Sequence, residues 1–129
     1  MNIVNENSGF RILVIDDDEL VRKTIVMTLQ SVQYEVAEAS DGILGVKTAA
    51  QAPFDLVITD ILMPNKEGIE TIRELRQQNS DLKIIAISGG DRTGGSYLDM
   101  AKKFGADKTL SKPFRPQDLL NDVREVLAQ

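Results

Sequence analysis

Short runs of apolar and β-branched residues alternate five times with segments of helical period, and this alternation constrains the fold more than any other feature of the chain. The runs are Arg11–Asp16, Tyr34–Ala39, Asp55–Thr59, Lys83–Ser88 and Lys108–Leu110. Three of them are almost continuously apolar, as expected of strands covered on both faces of a parallel sheet. The second alternates, with Tyr34, Val36 and Ala37 against Glu35 and Glu38, which suits an edge strand. Five helices are expected between and after them. Asp18–Val32 carries an imperfect stripe of Leu20, Ile25, Met27, Leu29 and Val32, with Asp18 or Glu19 favouring its N-terminus. Asp41–Gln51 follows, with Ser40 as N-cap and Pro53 beyond its end. Lys66–Gln78 places Ile69, Ile72 and Leu75 on one face, and Ser96–Phe104 stops at Gly105. Pro116–Leu127 starts on a first-turn proline and carries Leu119, Leu120, Val123, Val126 and Leu127. Repeated strand–helix units imply right-handed crossovers, hence an α/β fold with a doubly wound, five-stranded parallel sheet. The glycine-rich stretch Ser88–Ser96 is expected to be mobile.

At 129 residues the chain suits one domain, expected over 10–129 behind a polar, flexible leader at 1–9. Its formal net charge of −5 argues against direct binding of nucleic acid. Cysteine and histidine are both absent, which removes disulfides, thiolate nucleophiles, Ser-His chemistry and imidazole metal sites. A protein without histidine cannot donate a phosphohistidine. No apolar run approaches the roughly 20 residues that span a bilayer, and the leader lacks the apolar core of a signal peptide, so a cytoplasmic protein without membrane partners is expected.

Ligands of open α/β sheets bind beyond the carboxyl ends of the strands. The first run ends in Asp16 and Asp17, the third in Thr59 and Asp60 and the fourth in Ser88, while the fifth leads into Ser111 and Lys112. Clustered carboxylates raise one another's pKa unless a cation intervenes, and an oxygen-only donor set selects a hard divalent ion such as Mg²⁺. A carboxylate nucleophile, Mg²⁺, a lysine and a hydroxyl together make a phosphoryl-transfer site. Each residue alone has a plainer reading. Asp18 and Glu19 fit the first turn of a helix, Asp16 and Asp17 could complement its dipole, and Asp60 could serve a turn. Ser88 would ordinarily be a loop residue and Lys112 a surface lysine. Their joint placement at strand ends is what favours a site.

The segments ILVIDDDELVR (12–22), DLVITDILMPNKEG (55–68), IIAISGG (84–90) and GADKTLSKPF (105–114) together resemble the receiver domains of bacterial response regulators, over residues 11–127. The resemblance implies a flavodoxin-like sheet in the order 2-1-3-4-5 and a stand-alone, chemotaxis-regulator-like receiver of two-component signalling. It assigns Asp60 as phosphoacceptor and Asp17 as direct Mg²⁺ ligand. Asp16 would act largely through water, and the backbone carbonyl of Leu62 would complete the metal site. Lys112 would contact the phosphoryl oxygens, Ser88 would hydrogen-bond them, and the Lys112–Pro113 peptide would be cis. The donor would be a phosphohistidine of a sensor histidine kinase or phosphotransfer protein. Phosphorylation would shift the face around the fourth and fifth helices toward a downstream protein partner. Such a chain, monomeric or transiently dimeric, catalyses only its own phosphorylation and dephosphorylation.

Two departures from the family pattern matter. Thr109 stands where an aromatic residue often relays the switch, with Tyr97 as a substitute. Leu62 and Gly90, at the positions that tune dephosphorylation, cannot hold an attacking water, so a persistent phosphoryl group is expected. Two other readings stand beside the receiver. A haloacid-dehalogenase-like phosphatase would use Asp16 and Asp18, two apart, with Thr59 or Ser88 and Lys112, but it leaves Asp60 unexplained. A phosphorylation-independent interaction module would keep the fold without the switch.

Overall fold

A computed structural model describes residues 9–61, 67–88, 99 and 101–129. The expected leader up to Ser8, Leu62, the glycines of 89–95 and Tyr97 lie outside the described residues. Five parallel strands form one sheet in the order β2-β1-β3-β4-β5. They are β1 (Arg11–Ile15), β2 (Glu35–Ala39), β3 (Leu56–Asp60), β4 (Lys83–Ser88) and β5 (Lys108–Ser111). The helices are α1 (Glu19–Ser31), α2 (Gly42–Gln51), α3 (Glu67–Gln78), α4, described over 101–104, and α5 (Pro116–Leu127). The doubly wound fold and the strand order are therefore those expected, and β2 is an edge strand.

The continuous apolar runs divide their residues between the two faces of the sheet, because successive side chains point to opposite sides. Ile12, Val14, Leu56, Ile58, Ile85 and Ile87 pack with Ile25, Val26 and Leu29 of α1 and Leu119, Val123 and Val126 of α5. Leu13, Ile15, Val57, Ile84 and Ala86 meet Ile72 and Leu75 of α3, with Val46 and Ala49 of α2 against them. Both faces of the central strands are thus sealed, and the site is pushed to the strand ends.

Two expectations are corrected. Leu20 and Met27 do not belong to the buried stripe of α1; they are 78% and 68% exposed. The inward face is Arg22, Ile25, Val26 and Leu29, the i, i+3, i+4, i+7 set, whereas Leu20 and Met27 lie seven apart on a different face. The N-cap of α2 is Asp41 rather than Ser40, with its carboxylate accepting from the Leu44 N–H at 2.7 Å. Helix α4 does stop at Gly105, whose φ of +126° lets the Ala106 N–H reach the Ala101 carbonyl and the Gly105 N–H reach that of Lys102. At the start of α3, a Cβ on Gly68 would stand 2.3 Å from the Cα of Ile61, so only glycine lets the helix approach the end of β3 so closely. Among the described residues, no helix is long and apolar enough to cross a membrane.

Candidate functional site

Asp60 is the last residue of β3 and Asp16 follows directly on β1, its neighbour in the sheet. Parallel pairing brings the two strand ends level, with Ile15 opposite Thr59. Asp16 is buried at 1% exposure and Asp60 at 6%, while Asp17 is exposed. One carboxylate oxygen from each of Asp16, Asp17 and Asp60 lies within 4.8 Å of the others, a donor set that could hold a metal ion. Lys112, one residue beyond β5, points its Nζ between two of them: 3.2 Å from Oδ2 of Asp60 and 3.5 Å from Oδ2 of Asp16. The Lys112 N–H donates to the Ser88 carbonyl at 2.8 Å, which carries the chain from β5 across the end of β4 toward β3. Ser88 itself ends β4, wholly buried. The Lys112–Pro113 peptide is cis.

The electrostatics follow from this packing. Among the described residues, three carboxylates against one ammonium sum to a charge of −2, which one divalent cation would balance. Burial pushes the Asp16 carboxyl up from 3.8 to about 6. The charges of Asp60 and Asp17 push the same way, while the Asp18 N–H, donating to Oδ1 at 2.9 Å, and Lys112 pull it back. All-oxygen donors and no imidazole suit Mg²⁺.

The expected residues thus converge: Asp16, Asp17, Asp60 and Lys112 form one cluster, and Ser88 ends the strand beside it. The carbonyl of Leu62 falls outside the described residues. Thr109 is half-buried in β5, paired with Ala86. Asp18 caps α1 by accepting from the Val21 N–H at 3.2 Å, which occupies the carboxylate that the phosphatase alternative needs as its general acid. One residue at the site was missed from sequence. Arg22 is buried and donates from Nη1 to the Asp16 carbonyl at 2.8 Å. Its signal was available: an arginine standing in the inward stripe of an amphipathic helix.

The chain matches the family described as "Response regulator receiver domain" over residues 12–124. It is 34% identical over 122 residues to "Response regulator receiver protein CpdR" of Brucella abortus, covering 91% of this chain and 96% of that one. It is 32% identical over 117 residues to "Alkaline phosphatase synthesis transcriptional regulatory protein PhoP" of Bacillus subtilis. The chain spans about half the length of several relatives it matches, 48% for that protein. The fold is similar to a CheY-like receiver domain protein of Methanospirillum hungatei, with TM-score 0.86, 29% identity and coverage of 94% and 95% of the two chains. Chemotaxis response regulator CheY4 of Vibrio cholerae superposes at TM-score 0.82 with 32% identity over 91% and 98%.

Proposed function

Because the chain belongs to the response regulator receiver family, we propose that it is a signalling switch set by transfer of a phosphoryl group to the carboxylate of Asp60. The observation that carries this reading is the ammonium of Lys112 held between Asp60 and Asp16, beside Asp17, at the carboxyl ends of the strands. An Asp60 oxygen attacks the phosphorus of a phosphohistidine on a sensor kinase or phosphotransfer protein. The P–O bond forms as the P–N bond breaks, and the imidazole leaves with the bonding pair. Lys112 offsets charge on the transferring oxygens, and the Ser88 hydroxyl donates to one of them. Asp16, Asp17, Asp60 and the Leu62 carbonyl would hold Mg²⁺, which supplies further charge neutralisation.

The product replaces one negative charge at Asp60 with roughly two and adds strong acceptors. Ser88 and the chain after it then favour a second conformation of the face around α4 and α5, which a downstream protein reads. The protein acts in the cytoplasm as a monomer or transient dimer. It turns over no substrate other than its own phosphoryl group.

Incubation with Mg²⁺ and acetyl phosphate, followed by intact mass measurement, tests the proposal. A mass gain of one phosphoryl group is expected, lost with a chelator and in Asp60→Asn. No gain in the parent protein would sink the switch; a gain surviving in Asp60→Asn would move the acceptor elsewhere.

A further inference from the structure

The main chain of Asp16 lies past the last residue of β1, yet both of its polar groups are engaged. Its N–H donates to the Ala39 carbonyl at 3.2 Å, which extends the ladder to β2 by one rung. Its carbonyl accepts from Nη1 of Arg22 at 2.8 Å in a buried setting. The guanidinium is tied on its other edges too, with Nε donating to Oε1 of Glu38 at 2.8 Å and Nη2 standing 3.9 Å from Oε1 of Glu19. Glu38 also accepts from Lys23 Nζ at 2.9 Å, and these two cations hold its carboxyl below the usual range. Arg22 therefore joins the end of β1, the edge strand β2 and the first turn of α1.

Packing alone does not call for this residue. Arg22 shares the stripe of Ile25, Val26 and Leu29, where an apolar side chain would fit with less desolvation. What the fork adds is a fixed peptide plane between Asp16 and Asp17. That plane sets ψ of Asp16 and φ of Asp17, and so the directions in which both carboxylates leave the main chain. The Asp17 side chain is exposed, so the main chain that carries it must aim it. We infer that Arg22 is a positioning residue of the acid pair: by holding the Asp16 carbonyl it presets Asp16 and Asp17 for a divalent cation. This rests on the receiver-switch reading of the same site.

Calorimetric Mg²⁺ titration of the full chain tests it, comparing the parent with Arg22→Met, Arg22→Lys and Glu38→Gln well below each melting transition. Residues that orient metal ligands typically contribute 10–100-fold in affinity, so Arg22→Met is expected to weaken the Mg²⁺ Kd about tenfold or more. Glu38→Gln keeps the bond to the Asp16 carbonyl and is expected to stay within roughly threefold of the parent. Should Arg22→Met not fold, Arg22→Lys serves: it keeps the charge, but one ammonium cannot span Glu38 and the Asp16 carbonyl as a planar fork does, so a weaker Kd is again expected. A purely structural arginine would lower the melting temperature and leave the Kd of the folded protein unchanged. An unchanged Kd in the arginine variant overturns the inference, as does an equal loss in Glu38→Gln, which would make the Arg22–Glu38 ion pair the cause rather than the hold on the carbonyl. Absence of saturable Mg²⁺ binding by the parent overturns the switch reading itself.

Discussion

Replacing Asp16 by asparagine is expected to stabilise the metal-free protein while destroying its metal site. The Asp16 carboxyl is buried and raised from 3.8 to about 6. At 1.36 kcal/mol per unit, a shift of that size means that ionised Asp16 costs the folded state about 2–3 kcal/mol at pH 7. The folded form binds the proton more tightly than the unfolded one. The penalty is therefore absent below the unfolded pKa, grows as pH rises toward 6 and is complete above it. Asparagine resembles the protonated acid in shape, and its Oδ1 can still accept from the Asp18 N–H. Lys112 keeps its contact with Asp60 at 3.2 Å. Urea unfolding followed by circular dichroism, in chelator at pH 7, should place Asp16→Asn above the parent by about 2–3 kcal/mol, or roughly 6–12 °C in Tm for a domain of this size. At pH 4 the two should nearly coincide. Mg²⁺ at about 100 times its Kd should close most or all of that gap, because it adds about 2.7 kcal/mol to the parent only. A variant no more stable than the parent at pH 7, or a difference independent of pH, would refute the reasoning.

Lys112→Met removes the ammonium that stands against Asp60 and Asp16, so Mg²⁺ should bind several-fold more tightly, by about 1 kcal/mol or more. The same variant should take phosphoryl groups from acetyl phosphate on the order of 100-fold more slowly, since a charge-stabilising donor is lost. Weaker Mg²⁺ binding in calorimetry would count against the charge argument. Gly68→Ala must move α3 away from Ile61, and a cost of about 1–3 kcal/mol in urea unfolding is expected; an unchanged midpoint would show that the helix gives way freely. The phosphorylated protein should keep its group well beyond seconds, because neither Leu62 nor Gly90 offers a polar side chain to an attacking water. Loss within seconds, followed by intact mass, would contradict that.

Much of this molecule is legible in local pattern. The central strands are covered on both faces, so they are written as apolar runs, and Lys83–Ser88 and Pro116–Leu127 occupy the expected residues. Asp16, Asp17, Asp60, Ser88 and Lys112 could be picked out because a strand end in an open α/β sheet is where polar residues gather. Local pattern fails where the answer depends on a neighbour. The stripe of α1 was misphased because Leu20 and Met27 are apolar, yet the helix turns Arg22 inward and those two outward. Arg22 escaped notice for the same reason, since a charged residue is read as solvated until a buried acceptor is seen opposite it. Ser40 and Asp41 are both competent caps, and only the backbone decides which one leaves the helix first.

From sequence alone came the α/β alternation, the exclusion of thiol and imidazole chemistry and the acids at the strand ends. Those properties depend on residue type and short-range period, which a chain carries wherever it goes. Tertiary structure alone decided that Lys112 stands 3.2 Å from a carboxylate 52 residues earlier, that Asp16 is buried enough to titrate near 6, and that an arginine from α1 holds its carbonyl. These are distances between strand ends. They are set by the lateral order of the sheet, β1 beside β3 and β5 beside β4, which non-local pairing determines and no local period encodes.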